Sequence, residues 1–211
     1  MIITRQKSLE KICAMLDGKK KIFLIGCGDC AATCKTGGEP ELKALADALQ
    51  SRGKTITGMV VPDTTCASAQ AKIAFAKNKD ALKNTDAVVV MACGSGVQCV
   101  KDNDRLQLDV YPGCDSLHAA LIDKNGLFKE VCSVCGDCLL DITEGICPVT
   151  LCAKGLLNGP CGGQNKGKCE TDPEKDCAWI LIYQRLKEKG REGRLKTRQK
   201  PRNYDKAHPK G

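Results

Sequence analysis

Eight of the sixteen cysteines in this 211-residue sequence fall between Cys132 and Cys177. An apolar core has no need of thiols at that density, whereas a metal site or a disulfide framework does. Cys132, Cys135 and Cys138 read C-x2-C-x2-C, and Cys147 is followed at once by Pro148. Cysteines spaced in this way wrap a cubane iron–sulfur cluster, and a Cys-Pro supplies a further ligand. The match is loose, because eight residues rather than three separate Cys138 from Cys147. With Cys152, Cys161, Cys169 and Cys177, the eight thiols suffice for two four-ligand sites. Zinc also accepts four thiolates, although the close triple is more cubane-like than a pair of two-cysteine knuckles. Asn158-Gly159-Pro160 ahead of Cys161-Gly162-Gly163 reads as a tight turn that brings backbone amides toward sulfur.

A second cysteine group lies nearer the amino terminus, in Gly26-Cys27-Gly28-Asp29-Cys30-Ala31-Ala32-Thr33-Cys34. This loop follows an apolar run that reads as a strand. In an open α/β sheet, the loops at the carboxyl ends of strands gather where ligands bind. Three such loops carry thiols: Cys27, Cys30 and Cys34 on the first, Cys66 on the second, Cys93 and Cys99 on the third. The expectation is a [4Fe-4S] cluster on Cys27, Cys30 and Cys34, with Cys66 or Cys93 as fourth ligand. Gly26 and Gly28 would let backbone N–H groups approach it. The same residues also match G-x-G-x-x-A, a dinucleotide fingerprint, with Asp63 as the ribose-binding acid. Asp63 lies about twice the usual spacing of roughly 20 residues beyond the loop, and thiols inside the fingerprint favour the cluster. Cys13 and Cys99 read as small buried hydrophobes, and His118, between Leu117 and Ala119, as a packed side chain.

The elements that must position these groups read as an α/β layer. Apolar runs at 21–26, 55–61, 87–91 and 106–111 predict strands, the third continuous enough for a parallel sheet covered on both faces. Helices are predicted from about Pro40 to Ser51, over 67–83, and after Ser95. The fold class expected is α/β: a small doubly wound, mostly parallel sheet over 1–126. An irregular cysteine-rich metal-binding domain follows over 127–186, then a basic tail over 187–211. Within the second domain, periodicity returns only at 177–189, as a helix.

Composition narrows the function. The formal charge is +8, but residues 187–211 carry ten Lys and Arg against three Asp and Glu, leaving the rest at +1. Three Phe, three Tyr and one Trp are too few for a base-stacking surface, so nucleic acid is not an expected partner. The tail reads either as a solvated extension or as an arm that docks on a partner subunit. No apolar run is long enough for a membrane span, and no export signal opens the sequence. A cysteine-rich chain of this kind points to a reducing, cytoplasmic compartment and metal ligation over disulfides. No Ser/His/Asp set or paired carboxylates stand out, which favours carrying electrons over transforming a substrate.

Together with Thr36-Gly37-Gly38-Glu39, Ala92-Cys93-Gly94-Ser95-Gly96-Val97-Gln98, and Asn158-Gly159-Pro160-Cys161-Gly162-Gly163 through Cys169-Glu170, these motifs span most of the chain. The whole resembles the small iron–sulfur subunit family (MetV) of methylenetetrahydrofolate reductase from acetogenic and related anaerobes. Cys99 departs from the family pattern. The cysteines leave two or three [4Fe-4S] clusters open, with zinc possible at one site; the resemblance implies iron–sulfur sites. It also implies a TIM-barrel partner carrying FMN or FAD that reduces methylene-tetrahydrofolate to methyl-tetrahydrofolate. The electron donor would be reduced ferredoxin or an electron-bifurcating complex. The other readings are an NAD(P)-linked iron–sulfur oxidoreductase and a zinc-binding scaffold.

Overall fold

The computed structural model describes residues 1–208. Strand β1 (Ile2–Gln6) and helix α1 (Leu9–Met15) precede β2 (Lys21–Ile25), the short α2 (Cys30–Thr33) and α3 (Glu39–Ser51). Then come β3 (Thr55–Val60), α4 (Ser68–Lys77), α5 (Lys79–Lys83), β4 (Ala87–Val90), α6 (Gly94–Asn103) and β5 (Asp109–Pro112). Strands β6 (Cys114–Ile122) and β7 (Phe128–Glu130) follow, then α7 (Pro148–Leu151), β8 (Lys168–Cys169), β9 (Asp172–Asp176) and α8 (Ala178–Glu188). The chain divides into two compact units, Met1–His118 and a second that begins at Ala119. Among the described residues, no helix is long and apolar enough to cross a membrane.

In the first unit, β3-β2-β4-β5 form a parallel sheet in that order. Successive side chains of a strand point to opposite faces, and both faces here are covered, so the apolar runs are continuous rather than alternating. Ile22, Leu24, Val89 and Met91 join Ile12, Leu16, Leu42 and Leu49 in one core. Phe23, Ile25, Val88 and Val90 join Leu82 and Val100 in the other. Each fully buried aliphatic or aromatic side chain contributes about 1.5–3 kcal/mol, enough to make this sheet a rigid base for its loops. This is the doubly wound α/β layer that the sequence predicts.

Two local features were not anticipated. The stretch 67–83 is two helices, α4 and α5, meeting at Asn78, whose Nδ2 donates to the Ala74 carbonyl at 2.9 Å. A side-chain amide that satisfies a carbonyl locally lets the backbone leave the helix and restart. The first twenty residues supply β1 and α1. Ser8 caps α1 by accepting the Lys11 N–H at 3.3 Å, and Thr4 pairs its buried hydroxyl with that of Thr36 at 2.6 Å.

The second unit has little regular structure. Its apolar core consists of Ile146, Ala178, Trp179, Ile182 and Leu186, one stripe of α8 against a single loop. Trp179 Nε1 donates to the Leu156 carbonyl at 2.9 Å. Helix α8 ends in a cationic stretch that folds onto Glu144: Lys189 Nζ lies 2.6 Å, Arg191 Nη1 2.9 Å and Arg194 Nη1 2.9 Å from its carboxylate. Hydrogen bonds from Lys189 and Arg191 hold that carboxyl at a pKa of about 2. Further on, Asn158 and Gln199 exchange hydrogen bonds of 3.0 and 2.6 Å. Among the described residues, the basic tail is folded onto its own unit through these contacts.

Candidate metal centres

Three loops at the carboxyl ends of β2, β3 and β4 are sewn together by their backbones. Gly26 N–H donates to the Val60 carbonyl at 2.9 Å, Cys27 N–H to Gly37 at 2.9 Å, and Gly28 N–H to Pro62 at 2.8 Å. Thr65, fully buried, donates its hydroxyl to the Gly26 carbonyl at 2.5 Å. A Cβ on Gly37 would collide with the Met91 carbonyl, so glycine there is what allows the loops to meet. The result brings Cys27 from the first loop, Cys66 from the second and Cys93 from the third into one neighbourhood, with Cys30 at the start of α2. Burial pushes the Cys66 thiol up, and Cys93, Cys27 and Cys30 add electrostatic repulsion to its ionised form. Burial likewise raises Cys30, with Asp29 and Cys27 reinforcing it.

Cys34, one turn beyond Cys30, has its Sγ 3.8 Å from the carbonyl of Ile2, whose backbone Cys30 also meets. Its thiol neighbour is Cys114, which burial pushes up to about 12 and which donates to the Thr36 carbonyl at 3.5 Å. Cys13 packs against the core. Cys99 lies on α6, where Asn103 Nδ2 approaches its sulfur at 3.7 Å. The dinucleotide fingerprint finds no support in this geometry. Its helix, α2, is four residues long, and the N–H groups of Gly26, Cys27 and Gly28 are all engaged by chain carbonyls rather than open to a pyrophosphate or, as expected of Gly26 and Gly28, to cluster sulfur.

In the second unit, the eight thiols fall into two sets. Cys132, Cys135, Cys138 and Cys147 line one cavity of about 280 Å³, walled by Val131, Leu139, Leu140 and Val149. Positive φ at Val134 (55°) and Gly136 (75°) turns the loop sharply between successive cysteines; at a β-branched residue such as Val134 that conformation is strained. Burial disfavours ionisation of Cys135, but hydrogen bonding at Asp137 and the Arg202 guanidinium outweighs it and holds the thiol below its ordinary range. Arg202 Nη2 is 2.7 Å from Cys135 Sγ. Cys152, Cys161, Cys169 and Cys177 line the other cavity, of only about 20 Å³, beside Trp179 and Pro160. Cys177 caps α8 and is held by its N–H to the Gly167 carbonyl at 2.7 Å. Hydrogen bonds from Thr171 lower the Cys169 thiol.

The donor sets can be tested against the groups they would bind. The larger cavity has room for a cubane core of four irons and four sulfides between its thiols. The smaller, at about 20 Å³, leaves much less room between its thiols than the larger. Among the described residues, no three Cys, His, Asp or Glu side chains converge as tightly as one ion requires, since tetrahedral zinc brings its sulfurs to about 3.8 Å of one another. An ion held at the smaller site would have to draw its four thiols together. At the strand ends, thiols that raise one another's pKa are a set for which a cationic metal core supplies the missing counter-charge.

No curated protein and no solved structure matches the chain. Residues 111–205 match a family model described as methylene-tetrahydrofolate reductase C terminal, and that span holds both thiol sets of the second unit and Arg202. Over its carboxyl-terminal part, this chain is similar to the methylene-tetrahydrofolate reductase C-terminal family.

Proposed function

We propose that this chain is the electron-transfer subunit of a heteromeric methylenetetrahydrofolate reductase. One observation carries the reading: Cys132, Cys135, Cys138 and Cys147 line one cavity of about 280 Å³ inside the segment that matches the reductase family. Cys27, Cys30, Cys66 and Cys93 would hold one [4Fe-4S] cluster, and Cys132, Cys135, Cys138 and Cys147 a second. Cys152, Cys161, Cys169 and Cys177 would hold zinc as a structural ion, tying α7, the β8–β9 hairpin and α8 together. A cubane, when bound, takes up and gives back one electron at a time.

The chain's own residues do the rest. The Gly26–Gly28 loop and Thr65 fix three strand ends rigidly, so the sulfurs at the first site need little rearrangement between oxidation states. Val131, Leu139, Leu140 and Val149 place apolar atoms beside the second set, while Cys132 and Cys138 stay exposed. The acid–base pair at the smaller site, Lys154 with Glu170, is closed on itself as an ion pair rather than free for carbon chemistry. Reduction of methylene-tetrahydrofolate, which takes two electrons and two protons, therefore belongs to a flavin-bearing partner subunit. Reduced ferredoxin or an electron-bifurcating complex is the donor class that fits single-electron delivery. Thiolate-held clusters persist in a reducing compartment, consistent with the cytoplasm.

Metal and sulfide analysis of anaerobically purified full-length protein tests the reading. Two cubanes and one ion correspond to about eight irons, about eight sulfides and about one zinc per chain. Protein that contains zinc alone would replace the relay with a scaffold. Stoichiometric NAD(P)H binding would instead favour the pyridine-nucleotide reading.

A further inference from the structure

The tail that begins at Lys187 returns to the second thiol set, and one of its residues reaches a cysteine. Arg202 has a side chain only 7% exposed. Its Nη2 donates to Cys135 Sγ and to the Asp137 carbonyl, and its Nη1 lies 3.7 Å from the Asp137 carboxylate. Nε is buried with no hydrogen-bond partner among the described residues. Buried donors are nearly always satisfied, so an orphaned one beside a thiol marks a place where an acceptor is expected.

The surrounding contacts hold the guanidinium where it is. Gln199 is pinned by Asn158 three residues before it, and Lys206 Nζ bonds the Asp137 carboxylate at 3.0 Å four residues after. Gly136 makes the fit possible: a Cβ there would overlap the backbone of Lys206 and Ala207. Lys206 and Ala207 line the same cavity as the four thiols.

We infer that Arg202 sets the reduction potential of the cluster held by Cys132, Cys135, Cys138 and Cys147, by donating a charged hydrogen bond to the Cys135 thiolate. The inference rests on the iron–sulfur reading above. A cubane on four thiolates carries about −2 when oxidised and one further negative charge after accepting an electron, so a buried cation at its sulfur favours the reduced form. Hydrogen bonds to cluster sulfur and net local charge are both determinants of such potentials. A planar guanidinium satisfies the sulfur and the Asp137 carbonyl together, which a lysine ammonium cannot do in the same geometry.

The test is a dithionite titration, followed by EPR, of the full-length protein purified anaerobically as wild type, Arg202→Gln, Arg202→Lys and Cys135→Ser. Dithionite supplies the electron, each cubane accepts one, and no proton is transferred. The EPR signal missing from Cys135→Ser identifies the cluster. Arg202→Gln is expected to shift its reduction equilibrium at least tenfold toward the oxidised form, a lowering of 59 mV for a one-electron couple. Arg202→Lys should fall between glutamine and arginine. Wild-type protein without iron or signal would defeat the electron-relay reading itself, and with it this inference. An unchanged potential in Arg202→Gln at wild-type iron content would overturn the role of Arg202 alone. A shift confined to the signal that survives in Cys135→Ser would overturn it too, as would loss of the cluster from both Arg202 variants, which would make the residue structural.

Discussion

Replacing Cys66 with serine removes a thiol that lies far in sequence from Cys27 and Cys30 but beside them in space. Its repulsive neighbours are Cys93, Cys27 and Cys30, and Thr65 ties the Cys66 loop to Gly26. If these four hold one cubane, losing one thiolate removes four of about eight irons and four of about eight sulfides, with zinc unchanged. Cys34→Ser separates this geometry from a reading based on sequence proximity. Cys34 is the third cysteine of its local motif, but its thiol neighbours Cys114. Iron in Cys34→Ser should remain near eight per chain. Both variants would be purified anaerobically and assayed for iron, sulfide and zinc, with circular dichroism as a check on folding. Four irons in Cys34→Ser and eight in Cys66→Ser would refute the arrangement.

Three further outcomes follow from the same structure. Cys161→Ser should release zinc while leaving about eight irons, measured by inductively coupled plasma mass spectrometry; loss of iron instead would place a cluster at the smaller site. Glu144 has a pKa of about 2 against an ordinary 4.5, so its stabilising contribution is present above about pH 4.5 and is lost as pH falls from there toward 2. Urea midpoints of Glu144→Gln should therefore depend less on pH than wild type across that window, and equal slopes would count against the charge cluster. Leu24→Ala, at a fully buried position in β2, should cost about 2–5 kcal/mol in urea unfolding; a loss below about 1 kcal/mol would mean that the sheet is not the rigid base described.

The parallel sheet was readable because Ile22–Ile25 and Ala87–Val90 are buried on both faces and leave unbroken apolar runs. The break at Asn78 was hidden, because a single amide bonding back to Ala74 leaves no mark on the hydrophobic period. The elements before Lys21 did carry a signal, Ser8 followed by Leu9, Ile12 and Leu16, but the alternation in Ile2–Gln6 is too short to stand out. At the sites, spacing could mark Cys132, Cys135 and Cys138 as a local group. It could not assign Cys161 or Cys169 to a cavity, because that depends on where positive-φ residues turn the chain. Cys34 illustrates the same gap: a helical turn separates it from Cys30, and α2 is short enough that its direction is fixed by β1 and Thr36. Charge composition identified the tail as basic, yet its acidic partners, Glu144 and Asp137, lie more than forty residues upstream.

The position of those partners also has a bearing on synthesis. Cys132 through Cys147 leave the ribosome well before Arg202 and Lys206, which close over that loop in the finished fold. During the interval the loop lacks the contacts that Arg202 and Lys206 make to Cys135 and Asp137.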